Sequence, residues 1–372
     1  MTTTLGNYVE LVTGFAFPSS GFNFAETGQR VLRGDNIAQG ELRWLPGHSA
    51  FWDREAPSDI SLKSGDVAIA MDRPWVSSGL KFASISDWDL PALLGQRVAV
   101  LRARKHVSQR FLHYIVGSRE FTTYIIGCQT GTAVPHVSGD QLRQYPVHFP
   151  PLPEQQAIAE VLGALDDKIA ANRKLVATSL TLAEAVHDLA LSDEQRPLGD
   201  FMEFAYGKSL PATRRIPGEV PVVGSGGVTG SHDEALVNRP GIVVGRKGSM
   251  GTVRWMDEPF FPIDTTFYVT NKTGIPDQFW YFSLKQARFE GLNSDSAVPG
   301  LNREAALEQL TRTPSESGIK RFEDVALPLF ELATANRRES QTLSQLRDTL
   351  LPALMDGTIR VKDAERLAEE AV

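Results

Sequence analysis

Leu5-Gly6-Asn7-Tyr8-Val9-Glu10, followed by Gly14, is rewritten as Leu198-Gly199-Asp200-Phe201-Met202-Glu203, followed by Gly207. Both correspondences keep one offset, so the second stretch copies the first. A second echo joins Ala133-Val134-Pro135 to Ala297-Val298-Pro299. Its offset continues through Pro150 and Pro314, Ile158 and Phe322, Val161 and Val325, and Asn172-Arg173 and Asn336-Arg337. Between these anchors Gly65-Asp66-Val67 parallels Gly241-Ile242-Val243, while Arg73 and Lys81 parallel Arg246 and Arg254. The offset falls along the chain, which makes the second copy shorter through loop deletions. Self-similarity in fixed order marks two copies of one structural unit.

Each copy opens with a part rich in Gly, Pro and aromatic residues and closes with a helical part. Strand-like runs occur at Asp66–Met71, Arg97–Leu101, Gly241–Gly245 and Thr266–Thr270. One helix-like stretch stands in each copy, at Ser108–Ser118 and Pro276–Gln286, so small mixed α/β domains of the α+β kind are expected. From Glu154 to Ala190 the only helix breaker is Gly163. Ile158, Val161, Leu165, Ile169, Asn172, Val176, Ser179, Ala183 and Val186 recur at steps of three and four. Phe322, Val325, Leu329, Ala333, Asn336, Leu343, Leu350 and Leu354 do the same in the second copy. Steps averaging about 3.5 describe a coiled-coil seam. The alternative is a core helix within each domain, but two matched helices of this length favour pairing with each other. Asn172 and Asn336 fall at corresponding seam positions, where a polar residue fixes register.

The expected organisation is a first globular domain at 1–150 and a central helix at 151–196. A second domain at 197–313, a C-terminal helix at 314–358 and a tail at 359–372 follow. The two long helices would pack on each other between the halves of the repeat. Residues 154–190 would span about 55 Å, a strut carrying two similar heads. On duplex DNA, successive major-groove faces on one side lie about 34–36 Å apart. A two-headed protein would then read two half-sites across bases it does not touch, and unlike heads would make the target asymmetric.

Composition limits the alternatives. The chain has 372 residues, 42% of them hydrophobic, enough for two cores. Cys128 is the single cysteine, which excludes a disulfide framework and fits a reducing cytoplasm. The N-terminus has neither a basic region nor a long apolar core, so no signal peptide is expected. No stretch nears the roughly 18 apolar residues of a membrane span. Net charge is −7, which at first opposes DNA binding. The deficit sits mainly in the helical segments: 151–196 has 4 Lys/Arg against 8 Asp/Glu, while 1–150 has 14 against 13. Near-neutral heads can still present basic faces, with partners expected to add to the electrostatic grip.

Enzymatic motifs are missing. There is no Gly-x-x-x-x-Gly-Lys-Ser/Thr phosphate loop and no Asn-Pro-Pro-Tyr-type tetrad for gripping a flipped base. Gly224–Gly230 lacks dinucleotide-binding spacing and reads as a turn or a close backbone approach. Asp257, Glu258 and Asp264 have no lysine at nuclease spacing, and His106 and His113 lack further metal ligands. What remains is cations among glycines and aromatics: Arg73 and Lys81; Arg102, Arg104 and Lys105; Lys208, Arg214 and Arg215; Arg246, Lys247 and Arg254. Arginine reads guanine edges, while lysine and loop amides hold phosphates. Each cation alone reads more readily as a solvated surface charge; recurrence in both copies favours Arg73 and Arg246 as DNA contacts.

Pro150-Pro151-Leu152-Pro153-Glu154-Gln155-Gln156-Ala157-Ile158-Ala159, leading into Leu165-Asp166-Asp167-Lys168-Ile169-Ala170-Ala171-Asn172, resembles the central conserved helix of type I restriction enzyme specificity subunits. Leu346-Arg347-Asp348-Thr349-Leu350-Leu351-Pro352-Ala353-Leu354-Met355-Asp356-Gly357 is similar to that family's closing helix. Gly131-Thr132-Ala133-Val134-Pro135-His136-Val137-Ser138 resembles the loop that ends its target-recognition domains. One departure is Pro314-Ser315-Glu316-Ser317, where the first copy has Pro-Glu-Gln-Gln. The resemblance implies two target-recognition domains separated by two long antiparallel coiled-coil helices, an internal pseudo-two-fold repeat, and no catalysis by the chain itself. It implies double-stranded DNA, two adenine-N6 methyltransferase subunits and ATP-dependent endonuclease subunits as partners. S-adenosylmethionine, ATP and magnesium would belong to those partners. Glu154 and Gln155 at the helix head are then expected to help dock them. A two-headed DNA-binding regulator without a methyltransferase partner is the alternative.

Overall fold

The computed structural model describes residues 3–371 except 46, 77, 78, 132, 133, 290, 291 and 293–299. The echoed Ala133 and Ala297-Val298-Pro299 lie outside the described residues. The chain resolves into two compact units, Met1–Ile169 with Gln341–Val372, and Ala170–Ser340.

In the first unit the strands are β1 (Val9–Thr13), β2 (Gln29–Leu32), β3 (Phe51–Trp52), β4 (Val67–Ala70), β5 (Trp75–Val76), β6 (Gly79–Leu80), β7 (Phe82–Ser84), β8 (Ala92–Leu94) and β9 (Val98–Ala103). Helices α1 (Gln109–Gly117), α2 (Arg119–Cys128) and α3 (Gly139–Arg143) follow, and then α4 (Leu152–Ala190) begins. The main sheet has the order β1-β9-β4-β7 and a second sheet β3-β2-β8, with β2 and β8 parallel. All four residues of β4 are buried because the strand is covered on both faces. Alternation still sorts them: Ala68 and Ala70 face the core shared with Val31, Leu32 and Leu93. Val67 and Ile69 face Leu112, Val116 and Phe121 of α1 and α2.

Only one helix was expected in this region, yet α2 follows α1 directly. Thr122–Ile126 has strand-like composition, but Ser118 caps the helix at Phe121 N. Phe121 and Ile125, one helical turn apart, then both enter the core. Burial outweighs intrinsic propensity here.

The second unit continues with β10 (Leu191–Pro197), β11 (Met202–Tyr206), β12 (Val220–Gly224), β13 (Gly227–His232), β14 (Gly241–Gly245), β15 (Val253–Met256), β16 (Phe261–Pro262) and β17 (Thr266–Asn271). Next come α5 (Asp277–Gln286), α6 (Arg303–Leu307), β18 (Leu310–Pro314) and α7 (Glu316–Met355); α8 (Val361–Ala371) ends the chain within the first unit. The sheet orders are β11-β17-β14-β15 and β13-β12-β16, with β12 and β16 parallel. These two sheets repeat the strand orders of the first unit, while the β5–β6 and β10–β18 pairs are each peculiar to one unit. The repeat read in the sequence is therefore a repeat of fold.

The first long helix ends at Ala190, before the expected 196. Leu191–Pro197 becomes a strand paired with β18, held by the Ser192 and Thr313 hydroxyls at 2.8 Å and by Arg312 Nε donating to the Ser192 carbonyl. Within the first unit α4 packs Ile158, Val161, Leu162, Leu165 and Ile169 against Leu343, Leu350 and Leu354 of α7 and Ala364 and Ala368 of α8. In the second unit Ala183, Val186 and Ala190 meet Phe322, Ala326 and Phe330. In each unit the partners run antiparallel: Asp166 meets Arg347 in the first, while Asn172 meets Glu339 and Ala190 meets Ser315 in the second. One expected seam residue is displaced. Val325 is 41% exposed, and Ala326 occupies the buried position instead. The head against α7 requires Phe322, Ala326 and Phe330 on one face, a step of four.

Candidate nucleic-acid interface

In the second unit one loop organises the end of the sheet. Pro262–Thr266 accepts backbone hydrogen bonds from Gly207, Lys208, Arg246 and Lys247, while Ile263 N donates to the Val223 carbonyl. Four strands therefore converge where Tyr206, Lys208, Arg246 and Lys247 emerge. Gly207 sits at the convergence because a Cβ there would collide with the carbonyls of Pro262 and Ile263. Gly14 does the same in the first unit against the Gly95 carbonyl. Close backbone approach explains this repeated motif glycine.

Arg246 lies half-buried with its guanidinium carbon 4.9 Å from the Tyr206 ring centre and 5.9 Å from that of Phe267. Its Nη1 donates to the Asp264 carbonyl at 3.2 Å. On Tyr206 a second guanidinium, that of Arg303 at the head of α6, stands 5.5 Å from the ring centre. Arg303 is itself paired with Glu304 at 2.8 Å. Tyr206 is 48% exposed. Neither Tyr206 nor Arg303 was singled out from the sequence. The pairing joins β11 to a helix about a hundred positions later, and no local pattern carries it.

The remaining cations of this unit divide by what holds them. Arg254 on β15 is exposed and donates to the Gly226 carbonyl at 3.1 Å, at the tip of the β12–β13 hairpin. That hairpin is the glycine-rich Gly224–Gly230 stretch, folded as the expected turn. Arg215 is spent on backbone: its guanidinium donates to the Thr229 and Leu210 carbonyls and braces the loop beside β13. Arg214 and Lys208 are exposed.

In the first unit Arg73 and Lys81 come together at the end of β4. Arg73 is exposed, its backbone N–H donates to the Pro135 carbonyl at 2.7 Å, and its φ is +44°. Burial lowers the pKa of the Lys81 ammonium; Asp35 opposes the shift, Arg73 assists it, and Asp72 opposes it. Asp72 also lies 2.6 Å from His136 Nδ1 and 3.6 Å from Arg97 Nε.

Two expected roles are corrected. Arg102 is not a free cation: Nε and Nη2 grip both oxygens of Asp66, Nη2 also donates to the Ser61 carbonyl, and the side chain is only 14% exposed. With Asp66 only 3% exposed, this bidentate pair makes Arg102 a structural brace. Arg104 and Lys105 are exposed but follow the far end of β9, about 20 Å of strand away from Arg73 and Lys81. Gln155 does not face a partner. It is 1% exposed, accepts from Ser108 N, and donates to the carbonyls of His106 and Pro150. Glu154 beside it is exposed. Asn172 is buried and donates to Glu339 across the helix pair at 2.7 Å, whereas Asn336 donates to its own helix at the Leu332 carbonyl. The two asparagines do not act alike.

Strand register also corrects the pairing of Arg73 with Arg246. The shared β1–β9 and β11–β17 ladders, extended across β4 and β14, align Arg246 with Met71, Lys247 with Asp72 and Gly248 with Arg73. The loops agree: Val137 N donates to the Met71 carbonyl as Leu301 N donates to that of Arg246. Matching by residue type had slipped by two positions.

Among the described residues no group of three His, Cys, Asp or Glu side chains could hold a metal ion, and no helix is long and apolar enough to cross a membrane. Residues 55–178 match the family model of the type I restriction modification DNA specificity domain. The type I restriction enzyme EcoAI specificity subunit of Escherichia coli is 34% identical over 199 residues, half of this chain and 32% of that subunit. The MjaVIII specificity subunit of Methanocaldococcus jannaschii is 30% identical over 181 residues, 46% of this chain and 40% of that one. These matches span a third and two fifths of the relatives' own lengths. The crystal structure of the type I restriction-modification system S subunit from M. genitalium aligns over 95% of both chains with a TM-score of 0.58 at 19% identity, a likeness of fold. The chain is thus similar to the type I restriction enzyme specificity subunits over about half its length, and residues 55–178 match the model of their DNA specificity domain.

Proposed function

We propose that this chain is the DNA-reading subunit of a type I restriction–modification assembly, that it reads a bipartite asymmetric target, and that it catalyses nothing itself. The observation that carries this reading is the duplicated sheet. Two heads of one topology end, at the same place, in unlike side chains: Tyr206, Lys208, Arg246 and Lys247 in one, Asp72, Arg73, Lys81 and Arg97 in the other. Equal scaffolds with unequal tips suit two unequal half-sites.

In this reading two methyltransferase subunits carry out adenine-N6 methylation with S-adenosylmethionine. Endonuclease subunits use ATP and magnesium, and the assembly works in the cytoplasm. The long helices offer a surface for such subunits. Leu175, Leu182 and Leu189 are exposed at seven-residue spacing on α4, as are Val325 and Leu332 on α7. Exposed apolar stripes of this kind support partner docking. Purified alone, the chain is expected neither to methylate nor to cut DNA; adding the methyltransferase subunit should produce methylation at both half-sites. Methyl transfer by the lone chain would refute the proposal.

A further inference from the structure

We propose that Arg246, set on the face of Tyr206, reads a guanine in the half-site bound by the second unit, and that the first unit has no equivalent reader. The inference rests on the proposed function and assigns it to one position.

Three observations converge on Arg246. Its guanidinium is preorganised: the Tyr206 ring lies beneath it at 4.9 Å, and Nη1 is tied to the Asp264 carbonyl. Among the described residues no other acceptor takes its remaining N–H groups, which leaves the bidentate edge that matches guanine O6 and N7. The backbone on both sides is fixed, because Arg246 N donates to the Thr265 carbonyl and its own carbonyl accepts from Leu301 N. Most arginines must order several torsions on binding DNA; here the aromatic face has already restricted them.

Arg303 takes a different part. Its guanidinium is occupied by Glu304 through Nε and Nη2, so it is the second cation on the Tyr206 ring, 5.5 Å from its centre, and helps keep the ring in place. Tyr206 and Arg303 are positioning residues.

The first unit cannot use this device. Register puts Met71 at the place of Arg246 and Thr13 at that of Tyr206, and the helix-head correspondence of Ser138 with Asn302 puts Gly139 at that of Arg303. Met71 is 8% exposed, inside the core. The chemistry at the tip is instead the Asp72, His136 and Arg97 group.

The test is methylome sequencing of a host expressing the full chain with its methyltransferase subunit. The wild type gives a bipartite motif; a host without one would sink the proposed function itself. Against that control, Arg246→Ala should relax one G·C position in one half of the motif, with discrimination falling by about tenfold or more. The other half should stay unchanged. Tyr206→Leu should relax the same position and Tyr206→Phe should preserve it, since the phenyl face is retained. An intact motif methylated more slowly at every site would make Arg246 a phosphate contact and overturn the inference. Relaxation at an A·T position, or in both halves, would overturn it as well.

Discussion

Arg73 and Gly248 hold the same position in two copies of one loop, and both have positive φ, +44° and +77°. Glycine adopts that region freely, whereas an arginine there is strained by its Cβ. The second unit resolves the turn with glycine; the first keeps a cation and bears the strain. Residues in such conformations cost about 1–3 kcal/mol and concentrate at functional sites.

Arg73→Gly should therefore raise the stability of the chain by about 1 kcal/mol, read as a higher urea midpoint. If Arg73 touches DNA, the same variant should weaken recognition of the first unit's half-site. A lower midpoint would show that the loop is not strained.

Arg102→Ala should destabilise strongly. Removing one partner from a buried ion pair leaves an uncompensated charge, at about 3–5 kcal/mol. Asp66 retains one backbone donor, Lys63 N at 2.9 Å, which places the effect toward the lower end. Denaturation should register this, with DNA recognition lost only in step with unfolding. A normally stable variant that misreads its half-site would return Arg102 to the interface.

Gly163→Ala tests competing small terms. A Cβ at Gly163 would collide with the guanidinium of Arg110, which pairs with Asp167 at 2.9 Å. Arg110 is a flexible exposed side chain and can swing aside, so the loss is an exposed ion pair of about 0–1 kcal/mol. The gain is helix propensity, about 1 kcal/mol for Gly to Ala. The expected outcome in a thermal melt is a Tm equal to or slightly above that of the wild type. A drop of several degrees would mean that Arg110 cannot move.

His187 sets an acid limit. It is fully buried with Nε2 on Ser283 Oγ at 2.9 Å. Burial pushes its pKa down; Asp188 and Glu184 oppose this and Arg312 assists it. Below its unfolded value of about 6.5 the unfolded chain takes up a proton that the fold refuses. Stability is therefore full above that pH and declines as pH falls, by at most about 1.4 kcal/mol per unit, until the folded value is reached. Urea midpoints between pH 7.5 and 5.5 should show this slope, and His187→Gln should flatten it. An identical slope in the variant would assign the effect elsewhere.

What could be read in the sequence follows from the range of each signal. The duplicated Leu-Gly-Asn/Asp stretch and its trailing glycine report a local backbone requirement, and the structure shows it: Gly14 and Gly207 each press against a carbonyl. The helical steps were visible for the same reason, since one turn repeats within the helix. Arg102 and Gln155 could not be placed in this way. Asp66 is 36 positions from the one, and His106 is 49 from the other; an isolated charge or amide carries no sign of the partner folding brings. Tyr206 with Arg303 is the extreme case. The slip of two residues at Arg73 arose because matching residue types ignores loop length, which only strand pairing measures.

The first unit is Met1–Ile169 together with Gln341–Val372, while Ala170–Ser340 is self-contained. As the ribosome delivers the chain, the middle can close its core before the end has been made. Two cores of the first unit are built from residues before 150, but the third, on Ile158, Leu162 and Leu165, must wait for Leu343, Leu350, Leu354, Ala364 and Ala368 to arrive. Synthesis order and completion order are inverted for that one core, so a premature stop after Ser340 would leave it open in the first unit while sparing the second.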